Sequence, residues 1–144
     1  MKKYRFRLEA VLRVRRIEED RAKGDLLLAN RAVADAEAEL DRRLDHYRTV
    51  TGTEGVVSQE AYLVGRARQD AAAASVVAAG AARLAAEAEA DRMRAIWAGC
   101  AMRVRALERL DERRRDEHAG EVLRDEVIVL DEIASATRMI GAQR

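Results

Sequence analysis

The side chains able to do chemistry are few and scattered. His46 and His118 lie far apart, each among charged residues. Neither belongs to a Glu-x-x-His unit, because Arg43 and Arg115 hold the position three residues earlier. Di-metal helical bundles need that unit on facing helices, so no metal site is expected. The single cysteine, Cys100, has no internal partner for a disulfide. That usage suits a reducing cytosol, and its place in a helical apolar pattern suits a small buried hydrophobe. The adjacent acids Glu18-Glu19-Asp20 have the look of a solvated helix face, and no glycine-rich phosphate loop is present. Neither a nucleophile with its base nor a cofactor cradle can be assembled, so the chain reads as a non-enzyme without a cofactor.

What the sequence offers instead is charge, unevenly spread. Lys and Arg number 27 against 26 Asp and Glu, for a formal charge of +1, which argues against a nucleic-acid binder. Residues 2–16 nevertheless hold Lys2, Lys3, Arg5, Arg7, Arg13, Arg15 and Arg16 against Glu9 alone. Residues 116–132 hold Asp116, Glu117, Glu121, Asp125, Glu126, Asp131 and Glu132 against Arg124 alone. The two ends are either solvated faces or docking surfaces for different partners. A second basic group, Arg103, Arg105, Arg109 and Arg113 to Arg115, joins Arg5, Arg7 and Arg13 as a candidate interface.

The elements that must carry these charges are helical. About half of the 144 residues are apolar, many of them alanine, with 3% aromatic and 37% charged residues and no proline. That composition points to a long helix or coiled coil. One stretch interrupts it, Thr51-Gly52-Thr53-Glu54-Gly55-Val56-Val57-Ser58, with two glycines among β-branched residues and a natural N-cap in Ser58. The chain is therefore expected to be a single all-α domain over 1–144. It would form a two-helix antiparallel coiled-coil hairpin, with a helix over about 5–51, a bend over about 52–57 and an extended second helix over about 58–140.

Ala22, Leu26, Ala29, Val33, Ala36, Leu40, Arg43 or Leu44, Tyr47 and Val50 recur in steps of three and four, as a heptad seam requires. Upstream, Leu8, Val11, Leu12, Val14 and Ile17 form a second stripe whose offset implies a stutter or a change of partner near residues 18–23. About twelve alanines fall between Ala71 and Ala90, and Met93, Trp97, Cys100, Val104 and Leu107 continue the seam. A bend centred on residue 55 would pair this alanine run with residues 20–39, and Met93, Trp97 and Cys100 with Leu8, Leu12 and Ile17. No apolar run is expected to reach the ~18–20 residues that cross a bilayer.

Past about Glu108 the second helix outruns the first, yet Leu123, Val127, Leu130, Ile133 or Ala134, Thr137 and Ile140 keep the spacing. Such a stripe docks on another protein or pairs with itself in a dimer. Tyr47 and Tyr62 flank the bend, where they either stack to close the hairpin tip or anchor a partner.

The order of these features resembles one family. Residues 5–15, Arg-Phe-Arg-Leu-Glu-Ala-Val-Leu-Arg-Val-Arg, resemble the opening of the FliJ proteins of the flagellar type III export apparatus. Leu40, Leu44 and Tyr47 resemble the end of that family's first helix. Trp97, Leu107-Glu108-x-Leu110 with Glu112-Arg113-Arg114, and Leu130-Asp131-Glu132-x-Ala134 are similar to its later features. The resemblance implies a cytoplasmic, stalk-like protein similar to the central stalk subunit of rotary ATPases, peripheral to the inner face of the cell membrane at the flagellar base. Implied partners are the export ATPase hexamer, the cytosolic domain of the export gate and substrate chaperones, with no nucleic acid and membrane contact only through partners. It also implies a gate-binding surface toward the hairpin tip, at Leu44, Tyr47 and Tyr62. The alternatives are a generic cytosolic coiled-coil adaptor or the equivalent stalk of a virulence-type secretion system.

Overall fold

The computed structural model describes residues 3–52, Gly55 and residues 58–141, the side chains of 136–141 excepted. Helix α1 spans Glu9–Thr51 and helix α2 spans Gln59–Gly141, and the two pack against each other as an all-α hairpin. With 83 residues against 43, α2 is the longer. Of the bend residues, Thr53, Glu54, Val56 and Val57 lie outside the described residues, as do Lys2 and the side chains of Thr137 and Ile140.

The helix ends reflect local chemistry. Glu9 opens α1 with its backbone N–H donating to the Phe6 carbonyl at 3.3 Å, and residues 3–6 ahead of it are not helical. Arg48 lies in the last turn of α1, where a cation suits the helix dipole. At the start of α2 the Ser58 hydroxyl accepts the Ala61 N–H at 3.2 Å, an N-cap that satisfies one of the exposed donors of the first turn. Glu60 adds a favourable charge there.

The chain divides into two compact units, one of residues 1–17 with 101–144 and one of residues 18–100. In the second unit every buried residue among those described is an alanine: Ala22, Ala29, Ala72, Ala79 and Ala90. Leu26, Val33, Ala36, Leu40 and Leu44 on α1, and Val76, Arg83, Ala86, Met93 and Trp97 on α2, line the same seam half-buried. Alanine at the contact lets two helix backbones approach closely while removing little area from water. In the first unit the buried residues among those described are Leu12, Ala101 and Val104.

The structure corrects two expectations about the seam. There is no stutter near residues 18–23: Leu12, Arg15, Glu19, Ala22, Leu26 and Ala29 are buried or half-buried in unbroken steps of three and four. Arg15 and Glu19 are half-buried at seam positions, which suits side chains whose aliphatic stems can cover apolar surface. Consequently Val11, Val14 and Ile17 do not pack at the seam. Leu12 is 6% exposed, but Ile17 is 58% exposed, and Ile96 and Met102 are exposed as well. The pairing count also fails. It sets Arg16 opposite Arg94, whereas Arg16 bonds Glu108 at 2.7 Å.

One stretch of α2 is, by length and composition, long and apolar enough to cross a bilayer, contrary to the sequence expectation. The most apolar run of that helix is the alanine-rich segment, and it carries the ion pair Arg83–Glu87 at 3.5 Å. A charged side chain at a bilayer centre costs about 2.5–3.5 kcal/mol, which weighs against insertion.

Candidate functional site

The residues singled out from the sequence as candidate interfaces lie on the first unit and at the hairpin tip. In the first unit, α2 presents Asp111, Arg115 and His118 at i, i+4 and i+7, which one helix face carries together. Tyr4 lies on that face. Its hydroxyl donates to the Asp111 carboxylate at 2.7 Å and lies 3.2 Å from the Asp111 carbonyl. The Tyr4 ring meets His118 edge-on at 5.7 Å between centroids, and the Arg115 guanidinium stands 5.7 Å from the ring centre. Arg115 also pairs with Asp111 at 2.9 Å. Loss of solvation, and then the hydrogen bond to the Asp111 carboxylate, raise the Tyr4 pKa above its ordinary value. This cluster pins the segment before α1 against α2, and with it the basic residues on either side.

Arg5 and Arg7 thereby line one groove with Arg114, while Arg16, Arg105, Arg109 and Arg115 line another beside Leu12. Some of these charges are neutralised locally. Arg13 reaches Glu9 at 3.9 Å, Arg114 pairs with Glu117 at 2.9 Å, and Arg16 with Glu108. Among the described residues Arg5, Arg7, Arg103, Arg105, Arg109 and Arg113 are exposed and make no ion pair. Arg105, Arg109 and Arg113, each four residues apart, run along one side of α2. The basic residues singled out from the sequence therefore share one unit.

At the tip, Leu44 is half-buried, and Tyr47 and Tyr62 are exposed. The ring pair found among the described residues is Tyr4–His118, so the tyrosines beside the bend do not stack on each other. Further back on α1, Glu39 accepts from Arg42 and Arg43 at 2.6 and 2.5 Å. Those two hydrogen bonds hold the Glu39 pKa below the usual carboxylate value. On the tail, Leu123, Val127 and Leu130 are exposed, as are Ile128 and Val129 beside them. Among the described residues no group of three or more His, Cys, Asp or Glu side chains is placed to hold a metal ion. Cys100 is half-buried and free.

Sequence reasoning passed over Tyr4 and Asp111, and did not connect them with Arg115 and His118. The i, i+4, i+7 spacing of Asp111, Arg115 and His118 was the available signal, since it sets an acid, a base and a ring on one face.

Comparison with known proteins adds one match. A family model described as flagellar FliJ protein matches residues 3–140. No curated protein and no solved structure matches the chain.

Proposed function

This chain belongs to the flagellar FliJ protein family, a component of the flagellar export apparatus, and from that premise we propose that it is the non-enzymatic stalk of the export ATPase. On this reading it binds the ATPase ring, promotes its assembly and activity, and contacts the cytosolic domain of the export gate and substrate chaperones. It works in the cytoplasm, peripheral to the inner face of the membrane, and is held there through its partners. The observation that carries the reading is the set of exposed arginines without ion partners on the first unit, Arg5, Arg7, Arg103, Arg105, Arg109 and Arg113.

A two-helix hairpin is not symmetric about its own axis, so within a ring it touches the subunits unequally. Contacts that favour one conformation of a subunit over another shift its population, and only that difference can change the rate of hydrolysis. Uncompensated arginines attract acidic residues of the ring, which speeds encounter and sets orientation. Leu44, Tyr47 and Tyr62 then serve the gate at the hairpin tip, with aromatic rings as anchors. The acidic tail around Leu123, Val127 and Leu130 is a second contact.

The reading is tested by gel filtration of the chain with the export ATPase. The two should co-elute at low salt and separate as salt screens the arginines. Tyr62→Ala should leave that complex intact and weaken capture of the gate's cytosolic domain. Failure of the parent chain to co-elute at any salt concentration refutes the reading.

A further inference from the structure

The first unit leaves two apolar stripes in water. On α1, Val11, Val14 and Ile17 lie on the side away from buried Leu12. On the tail of α2, Leu123, Val127 and Leu130 are each more than half exposed and recur in steps of four and three. At 1.5 Å per residue the stripes span about 9 Å and about 10 Å along their helices. Their borders differ in net charge. Arg13 flanks the α1 stripe and Arg7 precedes it, with Glu18 following it, while Glu126 and Asp131 flank the tail stripe on its two sides, with Arg124 beside Asp131. Among the described residues Arg7, Glu126 and Asp131 make no ion pair, and Arg13 has only the long contact to Glu9.

The two stripes cannot meet within one chain. Glu108 and Asp111 of α2 already pair with Arg16 and Tyr4, and α2 continues from there as one unbroken helix through Leu130. A tail that cannot fold back must find its cover elsewhere.

We propose that the cover is a second copy of this chain. In a two-fold dimer the tail stripe of each copy lies on the α1 stripe of the other, so both contacts form together. Removal of the stripes from water drives the association, and Arg7 and Arg13 against Glu126 and Asp131 fix its register. Pairing tail with tail, or α1 stripe with α1 stripe, would set like charges together, which selects against both. The dimer uses part of the same basic end proposed for the ATPase ring, so ring and second copy compete for it. Self-association is measured without the ATPase, so its failure and the failure of the ring reading are separate results.

The test is sedimentation equilibrium of the full chain, with helicity followed by circular dichroism. The parent should show a concentration-dependent monomer–dimer equilibrium that weakens as salt rises from about 0.1 M to about 1 M and the screening length falls from about 10 Å to about 3 Å. Leu123→Asp with Val127→Asp, and separately Val14→Asp with Ile17→Asp, should each weaken it by about tenfold or more at unchanged helicity. A charge exchange gives the sharper readout. Arg7→Glu with Arg13→Glu in one chain, and Glu126→Lys with Asp131→Lys in another, should each be monomeric alone and form a dimer when mixed. In a Cys100→Ser background, chains carrying Val14→Cys and chains carrying Val127→Cys should cross-link to each other. A parent that is monomeric at every concentration, as it would be if another protein covers these faces, overturns the proposal. So do exchanged chains that stay monomeric when mixed, and cross-linking of Val127→Cys chains with themselves.

Discussion

Leu12→Ala against Ile17→Ala separates the seam from its decoy. Leu12 is 6% exposed and Ile17 58% exposed, although both belong to the same apolar run of sequence. Truncating leucine to alanine removes three carbons, at about 0.8 kcal/mol for each buried CH₂, or about 2.4 kcal/mol of transfer free energy. A cavity adds to this, but the space beside Leu12 is lined by the long side chains of Arg16, Arg105 and Glu108, which can settle into it. The total should fall near about 2.5–3 kcal/mol, toward the lower end of buried Leu→Ala changes. Ile17→Ala should cost about 0.5 kcal/mol, as an exposed substitution does. Urea titration followed by circular dichroism, at a dilution where the result no longer depends on chain concentration, measures both. The comparison requires that the dependence on urea be the same in the two variants. Equal losses would mean that Ile17 packs as tightly as Leu12 and that the seam has been assigned to the wrong face of α1.

The same contacts set three further expectations. Ala90→Leu should cost about 1–3 kcal/mol by overpacking the close-set alanine seam, whereas Ala74→Leu on the exposed side of α2 should be near neutral in the same titration. Gly80→Ala should gain about 0.5–1 kcal/mol, because a methyl group there meets nothing within 4 Å and glycine is a poor helix former; a loss would place a neighbour where none is found. The Tyr4 hydroxyl has a raised pKa in the folded chain, so its contribution is complete below the ordinary tyrosine pKa of about 10 and is lost as pH rises through the raised value. Amide exchange near residues 3–8, corrected for its intrinsic pH dependence, should therefore accelerate in that alkaline range. Tyr4→Phe should show faster exchange already at neutral pH and no alkaline step.

Much of the hairpin is legible in the sequence because its signals are local. Ser58 caps α2 as its residue type and place suggest, and the steps from Ala22 to Leu44 mark the seam without tertiary information. The N-terminal part is harder to read because two stripes compete there. Val11, Val14 and Ile17 look like core by type, whereas Arg15 and Glu19 are half-buried at seam positions. The pairing of one helix with the other is barely legible at all. Sliding one heptad seam along its partner by seven residues returns apolar positions to apolar positions, and alanine offers no distinctive shapes to choose among registers. Polar pairs far apart in sequence, Arg16 with Glu108 and Tyr4 with Asp111, mark the register instead. Part of the distance from the expected pairing comes from side chains leaning toward the N-terminus of their own helix. The arginines of the candidate interface were identifiable by type, but which of them spend their charge on Glu9, Glu108, Asp111 or Glu117 required coordinates.

Hydrolysis by the purified export ATPase tests the proposed stalk most directly, measured alone, with this chain, and with the chain carrying Arg105→Glu, Arg109→Glu and Arg113→Glu. These arginines are exposed on one side of α2 without ion partners among the described residues, so the variant should keep its helicity. The parent chain should raise turnover and shift the ATPase toward hexamers, and the variant should do neither. Turnover and hexamer content unchanged by the parent chain would contradict the account.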